Sequence, residues 1–350
     1  MVRVRVDETQ SKRLSFVSTS ILALLRLCIS LILVAYTLHR YFSTTMGNTK
    51  YIPSPLFQKE RDCPKAPYKT LLDNQAIGNG GDQPSSNNIC ITTLTDTKNA
   101  DIWQRLIRWR NFDSLLEITW ENKKQYTEMH GYRLFDESHI LDTSRPPSWS
   151  KVKAVQRLLK EEQCEWVFWM DADTIIMNPN KRLESFLPLE HDFVVTGSNG
   201  TVFNANAGVW AIKNSPWSLN FLERWYNLKE FVRPKGFSQS GDNHALNHLL
   251  RSIGAAKDGA SEFADHVILG VSCAFNTNPV FYIGGEPTLR KGLLGKRYDK
   301  HKEEELVNSL AIYHKGDFVA HLGGYSNKLE LSKMLLGYAG RIDSMSSTEE

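Results

Sequence analysis

The chain has 350 residues, of which 41% are apolar and 23% charged, a composition that allows a sizeable core in one large domain or two small ones. With 42 Lys and Arg against 39 Asp and Glu the net charge is only +3, and no basic run marks the body of the chain, which argues against a nucleic-acid partner.

Phe16–Leu38 is a largely apolar segment unlike the rest of the chain. As a helix it would reach about 34 Å, enough for a hydrocarbon core of roughly 30 Å. Arg3, Arg5, Lys12 and Arg13 precede it, and such a basic flank predicts a cytoplasmic N-terminus. A cleaved signal peptide and a buried soluble helix compete with an uncleaved signal anchor. The anchor is preferred, because the stretch is long for a signal peptide and no clean cleavage site follows. Arg26, near its middle, opposes insertion by roughly 3 kcal/mol. The expected organisation is a cytoplasmic tail over 1–15, a transmembrane anchor over 16–38, a stem over 39–86, a catalytic domain over 87–338 and a disordered tail over 339–350. The stem reading rests on Pro53, Pro55, Pro64, Pro67 and Pro84 and on the Gly78–Gly81 patch. Beyond the anchor, Cys63, Cys90, Cys164 and Cys273 allow two disulfides in three pairings. No CxxC spacing suggests zinc, and Asn199-Gly200-Thr201 is an N-glycosylation sequon.

Ordered elements begin with a strand over Ile89–Thr95 and a helix over Asp101–Met129, broken near Asn111. A strand at Tyr132–Phe135, a helix at Trp149–Leu159 and a strand at Trp166–Met170 follow. Strands at Phe193–Thr196 and Gly208–Ile212, helices at Pro216–Leu228 and Asp242–Leu250, and a strand at Val267–Val271 complete the series. Alternating strands and helices predict an α/β sandwich with a mostly parallel sheet covered on both faces.

The chemistry-bearing stretch is EWVFWMDADTIIMNPN, residues 165–180. Asp171 and Asp173 close the most apolar strand. Residues i and i+2 of an extended segment share a side, so two hard oxygen ligands converge as a divalent cation such as Mg²⁺ or Mn²⁺ requires. A polar turn is the plain alternative, and it leaves the burial of Ile175, Ile176 and Met177 without a reason. No P-loop, GxSxG, HExxH or strand-linked GxGxxG is present.

Five stretches in order carry a family resemblance: YTEMHGYRLF (126–135), WSKVKAVQRLL (149–159), EWVFWMDADTIIMNP (165–179), NANAGVWAIKNSPWSLNFLERW (204–225) and FVAHLGG (318–324). Together they resemble glycosyltransferase family 34, which includes fungal α-galactosyl- and mannosyltransferases and plant xyloglucan xylosyltransferases. The resemblance implies a GT-A nucleotide-diphospho-sugar transferase fold. It also implies a retaining, metal-dependent transfer of a hexose or pentose, galactose or xylose first, from a UDP-sugar to a glycan or glycoprotein acceptor. Asp171, Asp173 and His321 would hold Mn²⁺ or Mg²⁺. Lys151 would neutralise the leaving diphosphate. Asn206, Gly208, Gly323 and Gly324 would line the nucleotide-sugar pocket, and Asp242 with Asn243 would stand near the transferred sugar. The family pattern there has two acids and a Gln, where this chain has Gly241-Asp242-Asn243. That departure motivates a second reading, a catalytically degenerate, membrane-anchored nucleotide-sugar or glycan-binding domain. Taken singly, Asp242 could equally open a helix, Lys151 could be a solvated helix residue and His321 a structural histidine. The resemblance further implies a single-pass type II Golgi membrane protein, with the ER membrane second. The membrane is contacted through the N-terminal helix, no nucleic acid is bound, and a homo-oligomer is an open state.

Overall fold

The computed structural model describes residues 27–31, 33, 34, 37, 51–61, 63, 84–96, 114–197, 205–234, 240–254, 262–283, 286–288, 309–325 and 327–346. The chain divides into Met1–Tyr51 and Ile52–Glu350. In the first unit the described residues between 27 and 37 are helical, and the Thr37 hydroxyl donates to the Leu33 carbonyl at 2.8 Å. Among the described residues no helix is long and apolar enough to cross a membrane. Most of the expected anchor over 16–38 lies outside the described residues, as do the sequon at Asn199 and the first half of the helix expected from Asp101.

The second unit is mixed α/β around a six-stranded sheet. In chain order the elements that build the large sheet and the site are β1 (Ile89–Thr93), α1 (Leu115–His130), β2 (Arg133–Asp136), α2 (Ser150–Lys160), β3 (Trp166–Met170), β4 (Thr174–Ile176), β5 (Phe193–Gly197), β6 (Ala205–Lys213), α3 (Pro216–Asn227), α4 (Asp242–Gly254), α5 (Glu262–His266), β7 (Val267–Val271), β8 (Val319–His321) and α6 (Lys328–Ser346). The large sheet has the order β2-β1-β3-β6-β5-β7. Five of its strands run one way; β6 runs antiparallel to both β3 and β5. β1, β3 and β5 are buried along their whole length, as expected where both faces of a sheet are covered. One face packs Trp169, Trp210 and Val195 against α2, α3 and α4. The other packs Phe168, Val194 and Ile268 against Tyr126, Phe275 and Phe318. Trp166, Trp169 and Trp225 are core residues, and Trp217 is half-buried.

A second, two-stranded ladder pairs β4 antiparallel with β8, with Thr174 opposite His321. It brings a late segment of the chain beside residues 171–176.

The cysteines pair as Cys63–Cys273 and Cys90–Cys164. Part of the stretch read as a spacer is fastened to the body. The Ser54 N–H donates to Val280 O at 3.0 Å, and Phe57 stacks among Phe281, Tyr313 and Tyr338. Arg61 pairs with Asp317 at 2.8 Å, and the Cys63 disulfide follows. Proline-rich composition concealed one buried aromatic, one buried ion pair and one cross-link. At the other end α6 runs to Ser346, into the segment expected to be a disordered tail.

Candidate metal and donor site

Asp171 leaves β3 where its N–H donates to Gly208 O on β6, at 2.8 Å. A tight turn follows, closed by Thr174 N–H to Asp171 O at 3.1 Å and reinforced by the Thr174 hydroxyl on the same carbonyl. The chain then enters β4. This turn places both carboxylates at the rim of the sheet, and the β4–β8 ladder sets His321 beside them.

Each acid has one oxygen tied to a lysine and the other facing the imidazole. Asp171 Oδ1 accepts from Lys151 Nζ at 2.9 Å and from Trp169 Nε1 at 2.8 Å, and Asp171 Oδ2 lies 3.9 Å from His321 Nε2. Asp173 Oδ2 accepts from Lys328 Nζ, and Asp173 Oδ1 lies 3.4 Å from His321 Nε2. One donor atom from each of Asp171, Asp173 and His321 lies within 4.8 Å of the others. His321 Nδ1 is 3.0 Å from Asn276 Oδ1, while Asn276 Nδ2 donates to Asn206 O at 3.5 Å. With the Asn276 oxygen facing the ring, the tautomer that this contact would hold when an ion is bound has Nδ1 protonated and Nε2, on the carboxylate side, free to coordinate. That tautomer is the one a metal ligand needs.

Burial alone would raise the Asp173 carboxyl; the Lys328 ammonium and the His321 ring hold it well below the usual carboxylate range. Asp173 therefore stays an anion although it is buried, while Asp171 opens the site to solvent.

Gly208 packs flat under the His321 ring. A Cβ there would lie 2.1 Å from His321 Cε1, closer than any non-bonded contact allows. Gly323 is the next constraint, since its Cβ would stand 3.1 Å from the same ring; Gly324 follows it in the chain.

Lys151, expected to neutralise the leaving diphosphate, is engaged by the protein itself. It is fully buried, and its ammonium is shared among Asp171 Oδ1 at 2.9 Å, Ala207 O at 2.9 Å and Asp242 Oδ2 at 3.2 Å. An ammonium has three N–H donors, and these three acceptors use them. Burial would lower its pKa, but the two carboxylates raise it above the ordinary lysine value. Lys151 is a bridge that fixes Asp171 relative to Asp242.

Asp242 is the first residue of α4, where a carboxylate is favoured by the helix dipole. Its Oδ1 accepts from the Ser148 hydroxyl at 3.1 Å and from Ser240. Burial pushes this carboxyl up; Lys151 and the serine hydroxyls outweigh that and hold it below its ordinary value. Asp242 thus opens a helix, as expected, and is joined through Lys151 to Asp171. Asn243 Oδ1 accepts the Ala207 N–H at 2.7 Å, and Asn206 Oδ1 accepts the Gly208 N–H at 2.9 Å. Both amides set the backbone that carries Gly208. The departure at Gly241 has a steric reason: its φ is +94° and a Cβ would lie 1.7 Å from Phe231 O. An acid at this position would require the backbone to move.

Sequence reasoning did not single out Lys328, Asn276, Ser148 or Ser240. Lys328 is the first residue of α6, seven residues after His321, and nothing in that spacing marks it. The others meet the site only through tertiary contacts.

Residues 85–196 match the galactosyl transferase GMA12/MNN10 family, which bears out the family-34 resemblance over that stretch. A probable glycosyltransferase 6 from Oryza sativa subsp. indica is 31% identical over 39% of this chain and 33% of its own. Galactomannan galactosyltransferase 1 of Cyamopsis tetragonoloba is 28% identical over 39% and 37%. The probable α-1,6-mannosyltransferase MNN10 of Saccharomyces cerevisiae is 32% identical over 35% and 39%. The chain thus spans little more than a third of the length of these curated relatives. Among solved structures, a glycosyltransferase involved in glycosylation of the major capsid of PBCV-1 aligns with 71% of this chain and 98% of its own, at 16% identity and a TM-score of 0.45.

Proposed function

We infer that this chain is a retaining, metal-dependent glycosyltransferase of the GT-A type that moves a hexose or pentose, galactose or xylose first, from a UDP-sugar to a glycan or glycoprotein acceptor. The observation that carries the reading is the convergence of Asp171 Oδ2, Asp173 Oδ1 and His321 Nε2 on one point, each with its other polar atom already satisfied. Two carboxylate oxygens and a neutral imidazole suit Mn²⁺ or Mg²⁺. Asp171, Asp173 and His321 would hold the ion, which when bound supplies Lewis-acid stabilisation to a departing diphosphate.

The remaining work falls to the chain. Lys151 locks Asp171 against Asp242, so the acid at the metal point and the acid at the head of α4 move as one unit. Gly208, flanked by Asn206 and Asn243, admits the His321 ring. Gly323 and Gly324 allow close backbone approach by phosphate. Asp242, held as an anion, offers electrostatic support to the positive charge that grows on the sugar as its C1–O bond to the diphosphate breaks. The new bond forms from the acceptor hydroxyl to C1 on the same face, and the acceptor proton passes to the leaving phosphate oxygen.

The two disulfides support an oxidising compartment. With the apolar Phe16–Leu38 segment and its basic flank, this favours a type II protein of the Golgi membrane with a luminal catalytic domain.

The test is a panel of UDP- and GDP-sugars with Mn²⁺ or with EDTA, scored for donor hydrolysis and for transfer to glycan acceptors. One UDP-sugar should be turned over with Mn²⁺ and none with EDTA. Asp171→Ala and Asp173→Ala should each abolish turnover, about 10³-fold or more for a lost electrostatic stabiliser, while the far-ultraviolet circular dichroism is retained. Full activity in either variant would refute the assignment. UDP binding without turnover of any donor or acceptor would favour the binding-domain reading.

A further inference from the structure

β4 carries the backbone between Asp173 and the core, and its two edges are paired differently. Odd-numbered residues turn to β8: Asp173 O accepts the Leu322 N–H at 3.0 Å, Ile175 registers with Ala320, and the Met177 N–H donates to Phe318 O at 2.8 Å. Even-numbered residues turn to the opposite side, where no strand lies alongside among the described residues. Side chains of α1 take its place. Thr119 Oγ1 donates to Ala172 O at 2.9 Å and Lys123 Nζ to Thr174 O at 2.8 Å. Asn122 pairs with Ile176 in both directions, Nδ2 to the carbonyl at 3.0 Å and Oδ1 from the N–H at 2.8 Å. Tyr126 OH continues to Lys181 O at 2.7 Å, and His130 Nε2 lies 2.7 Å from Pro179 O.

Thr119, Asn122, Lys123 and Tyr126 follow the i, i+3, i+4, i+7 spacing of one helix face. Thr119 and Lys123 are completely buried. A helix packing on a sheet needs only apolar side chains there, and a buried lysine is costly. This face instead satisfies, group by group, the free edge of the segment that carries the acids.

We propose that Asn122 and Thr119 are positioning residues of the metal site. The polar face of α1 acts as a surrogate strand and fixes the distance from Asp171 and Asp173 to His321 across β4. The inference rests on the metal reading above and assigns the accuracy of the site to a helix that contributes no ligand. It also gives the YTEMHGY motif a task, since Tyr126 and His130 extend the same grip to residues 179–181.

The test is Mn²⁺ titration of the intact, disulfide-bonded chain, followed by electron paramagnetic resonance of the free ion. It compares the unmodified chain with Asn122→Ala and with the near-isosteric Thr119→Val; circular dichroism reports the folded fraction. Outer-shell partners of metal ligands typically carry about 10–100-fold in affinity, so each folded variant should bind Mn²⁺ at least about 10-fold more weakly. Thr119→Val decides the matter if Asn122→Ala does not fold. A merely structural role would lower the melting temperature and leave the affinity of the folded fraction unchanged, and that result overturns the proposal. If the unmodified chain takes up no Mn²⁺, the metal reading falls and the positioning role with it. Uptake that is equal in all three proteins overturns the positioning role alone.

Discussion

At the scale of single residues, the site depends on a missing side chain. Gly208 leaves just enough room for the His321 ring. Gly208→Ala should push the imidazole away from Asp171 and Asp173, with a loss of Mn²⁺ affinity of about 10-fold or more and an overpacking cost of about 1–3 kcal/mol. Mn²⁺ titration beside thermal unfolding checks this; unchanged affinity would show that the ring is not held by this contact. Lys123 gives a second expectation. Burial pushes its ammonium down to about 7, against the attraction of Asp173 and Asp171. Its folded value lies below the unfolded value of about 10.4, so between these values the unfolded chain binds more protons. This group's contribution to stability therefore rises as pH increases through that window, and below it the cost of burying the charge is present in full. In metal-free protein, the stability of the unmodified chain relative to Lys123→Met should improve from pH 7 to pH 9. A pH-independent difference would contradict it. The acids were legible in the sequence because an i, i+2 pair interrupts an apolar run. Lys328, Asn276 and Asn122 were not, because a lone lysine or asparagine carries no sign of what it will meet across the fold.

At the scale of elements, long apolar runs were read well. Trp166–Met170 and Val267–Val271 form the expected strands, Ile89–Thr93 lies within the stretch read as one, and Pro216–Asn227 falls one residue short of the expected helix end. Ser215 explains its start, accepting from the Ser218 N–H as an N-cap ahead of Pro216. The three-residue strands β4 and β8 were not recognised as a ladder. Each is too short for a periodic signal, and their pairing joins positions far apart in sequence. The antiparallel direction of β6 was hidden as well, since composition does not encode strand polarity. Cys90–Cys164 clips β1 to the turn before β3. Cys90→Ser with Cys164→Ser should cost about 2–4 kcal/mol, read as a lower denaturation midpoint. An unchanged midpoint would mean the β1–β3 ladder holds this edge without help.

At the scale of the whole molecule, a mostly parallel sheet gathers the carboxyl ends of its strands at one rim, where open α/β sheets bind ligands. Asp171 stands at the end of β3, and the β4–β8 ladder delivers His321 from far along the chain. Alternating apolar runs made this architecture legible. The attachment of residues 54–63 was not, because prolines and polar residues there outnumber Phe57, Arg61 and Cys63, which hold the segment down.

The central claim is that the late imidazole completes the site begun by the two acids. It is tested most directly by calorimetric titration of Mn²⁺, in the presence of UDP, into the unmodified chain and His321→Ala. The account predicts one saturable Mn²⁺ site in the unmodified chain and a loss of at least about 10-fold in affinity in the variant. Equal binding by both proteins would contradict it.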